Sequence, residues 1–181
     1  MSASDAAASL HQVGRPRPDE FDALRGIERE AERAFSPEDL PLALRDATLT
    51  SDDELATALA QELLWAARDA SGALVGFAIA LWLGEDLHLD ELDVHPAHQR
   101  RGIGRELVGA VRAHAERRGA RRLTLTTFRF VAWNMPWYER LGFVELAPAE
   151  LTPDLRALFE DEIARGLPRA RRVAMALDLA P

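Results

Sequence analysis

Gln99-Arg100-Arg101-Gly102-Ile103-Gly104 joins an apolar segment of the chain to an amphipathic one. Residues 87–94 before it read as a strand that ends at His95-Pro96, and the apolar residues after it recur at helical spacing. No Ser, Thr, Asp or Asn immediately precedes Ile103 to cap the helix, so its first amide groups lack a local side-chain acceptor. Free amides, the positive end of the helix dipole and the neighbouring arginines predict a binding site for a phosphate or pyrophosphate group.

The pattern Gln-x-x-Gly-x-Gly between a strand and a helix resembles the acetyl-CoA pyrophosphate loop of the GNAT superfamily of N-acetyltransferases. A second stretch, Tyr138-Glu139-Arg140-Leu141-Gly142-Phe143, is similar to the Tyr-x-x-x-Gly-Phe signature of that family. The resemblance covers residues 63–146. It departs from the family in one place, because the Asn that many members carry seven residues before the Tyr is Val131 here, and the nearest asparagine is Asn134.

The order of elements predicts an α/β (α+β) fold. Antiparallel strands come first, and a strand–helix–strand unit then builds a parallel pair. This order predicts a mixed, twisted, mostly antiparallel sheet of about six to seven strands with helices on both faces. The resemblance implies that the two central parallel strands splay apart and that the pantetheine arm of the cofactor lies in the gap. Residues 1–9 are predicted to be a disordered tail and residues 10–181 a single acyltransferase domain.

Composition excludes several classes of function. The net charge of −8 argues against nucleic acid as a partner. The chain has no cysteine, and therefore no thiol nucleophile and no thiolate metal site. His88, His95 and His98, with Asp90 and Asp93, lack the usual spacing of metal ligands, so no metal is predicted. The sequence shows no signal peptide and no apolar run long enough to span a membrane, which predicts a cytoplasmic protein without a membrane partner.

The resemblance assigns the binding of acetyl-CoA mostly to backbone groups. The predicted pyrophosphate site comprises Arg101, Gly102, Ile103, Gly104 and Arg105, bordered by Gln99 and Arg100. Leu92 and Val94 would offer backbone groups to the pantetheine amides and the thioester oxygen, and Asn134 is a further candidate contact. From the residues alone, an ordinary strand-to-helix turn with solvated arginines and two core strand positions is the alternative interpretation.

Acetyl transfer to an amine requires a proton acceptor for the amine and a proton donor for the leaving thiolate. By matching position in the family, Tyr138 is the predicted acid; a structural tyrosine is the alternative. Glu91 is the predicted base, with an ordinary solvated carboxylate or a base acting through water as alternatives. Strict strand alternation places Glu91 on the face of Leu89 and Asp93. A bulge, common at this point in the family, would exchange the two faces.

These residues, taken with the resemblance to the GNAT superfamily, imply an acetyl-CoA-dependent N-acetyltransferase acting on a primary amine. Direct attack in a ternary complex is expected, because no cysteine can carry the acetyl group. The acceptor stays open among a polyamine, an aminoglycoside, an amino acid and a protein N-terminus, that is, a small-molecule or peptide amine. A non-catalytic module that binds or senses acyl-CoA is the alternative function, and the resemblance is also compatible with a homodimer.

Overall fold

A computed structural model describes residues 11–45 and 49–179 of the chain, and the predicted disordered tail lies outside these ranges. In this part of the chain seven strands form one sheet: β1 Gln12–Gly14, β2 Leu64–Arg68, β3 Leu74–Leu83, β4 Asp86–Val94, β5 Arg122–Phe128, β6 Val144–Glu145 and β7 Arg172–Asp178. The helices are α1 Phe21–Glu32, α2 Asp52–Ala60, α3 Ile103–Arg117, α4 Met135–Glu139 and α5 Pro153–Ala164. None of the described helices has both the length and the apolar character that crossing a membrane requires.

The sheet has the strand order β1-β2-β3-β4-β5-β7-β6 and contains one parallel pair, formed by β4 and β5 in its middle. The predicted mixed, mostly antiparallel sheet is therefore confirmed. The parallel strands pair only where Leu87–Leu89 lies beside Leu123–Leu125. Beyond these residues β4 continues to Val94 without a partner on β5, so the two strands separate and leave a gap in the sheet.

A β-bulge in β4 decides which side chains of this strand face the gap. Ile79 of β3 pairs with Glu91, whereas the next residue, Ala80, pairs with Leu89, so Asp90 has no partner on β3. The extra residue shifts the alternation. Leu89 now shares a face with Leu92, and Glu91 lies on the opposite face. The strict alternation that placed Glu91 beside Leu89 is wrong, and the version with a bulge is correct.

Two apolar cores cover the faces of the sheet. On one face the stripe of α3, which includes Leu107, packs with α4 and the alanines of β3. On the other face α1 and α2 enclose Phe77. Gly76 admits α3 to the sheet: a Cβ at this position would lie 2.8 Å from the backbone oxygen of Asp93 and 3.3 Å from the side chains of Ile103 and Leu107. The absence of a side chain at residue 76 therefore sets how closely α3 can approach β3 and β4.

Candidate active site

A cleft of about 920 Å³ occupies the region where β4 and β5 separate. The wall of the cleft includes both predicted catalytic residues and most of the predicted cofactor-binding residues: Glu91, Leu92, Val94, Gln99, Arg100, Gly102, Ile103, Gly104, Arg105, Asn134 and Tyr138. Arg101 is the exception, because it is exposed to solvent and does not line the cleft. Two motifs that are distant in the sequence therefore meet around one cavity.

The turn before α3 has the backbone conformation of an anion-binding loop. Gly102 has a φ of +89° and Arg100 a φ of +60°, the left-handed region that a non-glycine residue occupies at a cost of about 1 kcal/mol. Gly102 is the N-cap of α3, and no side chain caps this helix. The Gln99 amide holds the turn to the sheet by donating a hydrogen bond of 3.1 Å to the Val94 carbonyl. The first amides of α3 are thus left for a ligand in the cleft.

Tyr138 is placed by aromatic neighbours and faces the cleft. Its side chain is 9% exposed, and its ring meets Trp137 and Phe143 edge to face, with centroids 4.9 Å and 5.6 Å away. Its hydroxyl forms no hydrogen bond with any described residue. Burial and the nearby carboxyl groups of Glu91 and Asp93 raise the pKa of Tyr138 well above its usual range. The phenol is therefore protonated at neutral pH and can act as a proton donor.

Asn134 starts the helix that carries Tyr138. Its backbone carbonyl accepts hydrogen bonds from the Trp137 and Tyr138 amides, at 2.8 Å and 3.0 Å. Its side-chain amide donates a hydrogen bond of 2.8 Å to the Thr127 hydroxyl on β5. The side chain thus ties α4 to the strand on the far side of the gap, a structural role in addition to its predicted contact with the cofactor.

Two carboxyl groups of β4 face α1 together. Glu91 and Asp93 pair with Ile79 and Phe77 of β3, so both lie on the face covered by α1 and α2. The two side chains are hydrogen-bonded to each other. Burial raises the pKa of both carboxyl groups well above their usual range, and the charge of Glu28 raises both further. A carboxylate whose pKa is raised is a stronger base than an ordinary carboxylate, and is therefore suited to accept a proton from an ammonium group.

Sequence reasoning missed the contribution of the first two helices. Glu28, Glu32 and Glu54 line the same cleft. Glu28 is only 3% exposed and accepts hydrogen bonds of 3.0 Å and 3.1 Å from the Thr50 amide; burial raises its pKa to about 7. The sequence carried a signal for this residue, because Glu28 stands four residues after the buried Leu24 and so interrupts the apolar stripe of α1 with a carboxylate.

Arg172, one of the arginines that line this part of the cleft, forms an ion pair within the protein. Arg172 of β7 donates hydrogen bonds of 2.7 Å to the Glu162 carboxylate and 2.9 Å to the Thr126 hydroxyl. This network attaches α5 to the sheet beside the gap. Within the described residues, no group of three or more His, Asp or Glu side chains is arranged to hold a metal ion.

Comparison with known proteins agrees with this geometry. The model of the acetyltransferase (GNAT) family matches residues 22–143 of the chain. The ribosomal-protein-S18-alanine N-acetyltransferase of Escherichia coli has the same fold, with 22% identity, a TM-score of 0.65, and coverage of 95% of this chain and 96% of that chain. The PaiA N-acetyltransferase of Thermoplasma acidophilum, solved with coenzyme A, is 15% identical with a TM-score of 0.68, over 93% of this chain and 99% of that chain.

A third structure, yncA from Salmonella typhimurium with its cofactor acetyl-CoA, is 20% identical with a TM-score of 0.67, over 94% of this chain and 95% of that chain. These likenesses show a shared fold. The match to the family model extends over more than half of the chain and includes both motifs that border the cleft. The chain therefore belongs to the GNAT family of acetyltransferases.

Proposed function

We propose that the protein transfers an acetyl group from acetyl-CoA to the primary amine of a small-molecule or peptide acceptor. The observation that carries the proposal is the continuity of the cleft. One cavity joins the uncapped N-terminus of α3 to the Tyr138 hydroxyl and the Glu91 carboxyl group. The complexes of PaiA with coenzyme A and of yncA with acetyl-CoA support acetyl-CoA as the donor.

The residues of the cleft fit the parts of acetyl-CoA. The amides of residues 102–105, with the guanidinium groups of Arg100 and Arg105, would hold the pyrophosphate. The unpaired stretch of β4 from Leu92 to Val94 would offer backbone groups to the pantetheine amides, as a missing neighbouring strand would. The thioester would then lie beside Tyr138, at the point where the two strands separate.

The proposed reaction is a direct attack of the amine on the thioester. The carboxyl group of Glu91, shared with Asp93, accepts a proton from the ammonium form of the acceptor, directly or through a water molecule. The amine nitrogen then forms a bond to the carbonyl carbon, and the bond between carbon and sulfur breaks. Tyr138 donates its proton to the leaving thiolate. The nitrogen releases its second proton to water as the amide forms, and Tyr138 takes a proton back from water. No acyl-enzyme is needed, and the chain has no cysteine to form one.

Calorimetric titration with acetyl-CoA, coenzyme A and ATP tests the proposal first. We expect micromolar binding of both CoA forms and no binding of ATP, followed by release of free thiol when an amine acceptor is added. Intact-mass measurement during turnover should show no acetylated protein species. Failure to bind either CoA form, or accumulation of a covalent acetyl-enzyme, would contradict the proposed function.

A further inference from the structure

The end of the cleft away from the α3 loop is lined by carboxyl groups from three elements, which we call the acidic end. Its members come from α1, α2 and the unpaired part of β4: Glu28, Glu32, Glu54, Asp90, Glu91 and Asp93. Glu28 and Glu32 are one helical turn apart, about 6 Å along α1. The acidic end is thus wider than a single ammonium group.

Three carboxyl groups of the acidic end have no counter-ion among the described residues. Glu28, Glu91 and Asp93 form no ion pair within the described part of the chain, and the charge of Glu28 raises the pKa of both Glu91 and Asp93. The two arginines on the adjoining wall, Arg165 and Arg172, are paired with Asp161 and Glu162. Carboxyl groups that crowd in this way are stabilised by a cation that the protein itself does not supply.

Two largely buried side chains present polar groups to a ligand at this place, and this observation does not depend on the net charge. The Tyr138 hydroxyl belongs to a side chain that is 9% exposed and has no hydrogen-bond partner among the described residues. Asp93 is 8% exposed, and its hydrogen bond joins it to another carboxyl group, Glu91. Both residues line the cleft, so a ligand that enters it can bond to either group.

Apolar and aromatic side chains form the rest of the wall. They include Phe35, Leu40, Leu44, Phe128, Trp133 and Leu158. The Trp133 ring is 52% exposed and borders the opening. A wall of this kind suits a hydrocarbon chain between charged groups, and aromatic rings also attract ammonium groups.

We propose that the acceptor is a small, flexible amine with at least two ammonium groups, a diamine or polyamine. This inference rests on the proposed function and names its substrate class. The nitrogen that reacts must be neutral when it attacks, so it cannot balance the charge around it. A second ammonium group beside Glu28 balances this charge, while the alkyl chain lies on the apolar wall. An amino acid acceptor would bring its carboxylate into the same field and be repelled.

Steady-state kinetics with acetyl-CoA and matched amines test the inference. Putrescine and butylamine have the same carbon chain and differ by one ammonium group. We expect kcat/KM for putrescine to exceed that for butylamine by at least about tenfold, and the ratio to shrink as salt is raised. Glycine, a zwitterion, is expected to be the poorest acceptor of the three.

Variants on α1 locate the second ammonium group. Glu28→Gln keeps the size of the side chain and is expected to lower kcat/KM for putrescine by about tenfold, with little change for butylamine. Glu30→Gln is the matched control, since Glu30 lies on the same helix, pairs with Arg33 and does not line the cleft. If Glu28→Gln fails to fold, Glu32→Gln replaces it, because that residue is partly exposed near the end of the helix.

The outcomes separate the two proposals. Coenzyme A binding with equal or better use of butylamine or glycine would overturn the diamine inference and leave the acetyltransferase in place. Coenzyme A binding without acetylation of any of the three amines would also overturn the inference. Loss of coenzyme A binding in the wild-type protein would remove the proposed function itself, and the inference with it.

Discussion

The indole ring of Trp137 lies against the backbone of Gly104. A Cβ built on Gly104 would be 3.4 Å from both Cη2 and Cζ2 of that ring. Gly104 is in the first turn of α3, and Trp137 precedes Tyr138 on α4 and contacts its ring edge to face. The proposed pyrophosphate loop and the proposed proton donor are therefore positioned relative to each other through one aromatic side chain.

Trp137→Ala should weaken both functions of the site together. Without the ring, α4 loses its contact with α3, and we expect affinity for coenzyme A to fall by about tenfold and kcat to fall with it. The free energy of unfolding should drop by roughly 2 kcal/mol, because the ring is only half-buried. Trp82→Ala is the control, since Trp82 is 36% exposed and lies outside the cleft. Equal effects of the two substitutions on affinity would contradict the proposed coupling.

Gly102→Ala tests the backbone conformation of the loop. At a φ of +89° an alanine is strained although no atom lies within 4 Å of its Cβ, so we expect a loss of about 1 kcal/mol in stability and weaker binding of coenzyme A. Gly109→Ala provides the comparison inside α3, where the φ is ordinary and the space is also open. It should raise stability by roughly 0.5–1 kcal/mol without changing affinity. Urea denaturation and calorimetry measure both quantities.

Tyr138→Phe distinguishes an enzyme from a module that only binds acyl-CoA. The hydroxyl makes no hydrogen bond to the described protein, so its removal should leave stability and affinity for coenzyme A close to the wild-type values. A proton donor for the leaving thiolate predicts a fall in kcat of about 10²-fold. Unchanged turnover would assign Tyr138 a structural role, with its ring packing against Phe143.

Asp86→Asn tests an ion pair at the end of β4 and β5 where the two parallel strands are paired. Asp86 is 2% exposed and accepts hydrogen bonds from Arg122, at 2.8 Å and 3.2 Å, and from Arg121 at 3.2 Å. Removing its charge leaves the largely buried Arg122 guanidinium without a counter-ion, which should cost about 3 kcal/mol in the free energy of unfolding. Glu116→Gln, which breaks an exposed pair with Arg112 on α3, should cost less than about 0.5 kcal/mol.

Stability should fall as the pH rises from 6.5 to 8. Burial raises the pKa of Glu28 from 4.5 to about 7, and those of Glu91 and Asp93 are raised as well. The folded chain therefore binds more protons than the unfolded chain, and the free energy of unfolding decreases with pH up to the folded pKa. His88 and His114, whose pKa values are lowered by burial, act in the opposite direction, and their effect fades as the pH rises above their ordinary pKa of 6.5.

Urea denaturation at pH 6.5 and pH 8 measures this slope. We expect the wild-type protein to lose at least about 1 kcal/mol over the interval. The double variant Glu91→Gln with Asp93→Asn should be more stable at pH 8 than the wild type and should show a flatter slope. A stability that is constant or rises with pH would mean that these carboxyl groups are ionised in the folded protein.

The sequence predicted the elements that depend on local patterns. The stripe of α3 and the uncapped turn at Gly102 follow from periodicity and glycine placement, which act over a few residues. The bulge at Asp90 could not be fixed in this way, because one extra residue in β4 is decided by its pairing with β3. The bulge turns the Glu91 side chain toward α1, and the amino-acid composition of β4 does not reveal this orientation.

The acidic end was the part of the site that sequence reasoning did not predict. Glu28 and Glu54 lie on helices more than 30 residues before Glu91, and only the packing of α1 and α2 on the sheet brings them together. No local sequence pattern in either helix predicts that contact. The interruption of the α1 stripe at Glu28 shows that a charge is buried there, but it does not show what the charge faces.

The short junction between the parallel strands has a consequence for motion. Within the described part of the chain, strand pairing between β1–β4 and β5–β7 is limited to Leu87–Leu89 beside Leu123–Leu125, supported by the ion pairs of Asp86 with Arg121 and Arg122. Two half-sheets joined over so short a length are expected to open as separate cooperative units, which amide hydrogen exchange would resolve. A ligand in the gap would form bonds to both half-sheets. Their backbone amides would then exchange hydrogen as one cooperative unit when the ligand is bound, and as two units without it.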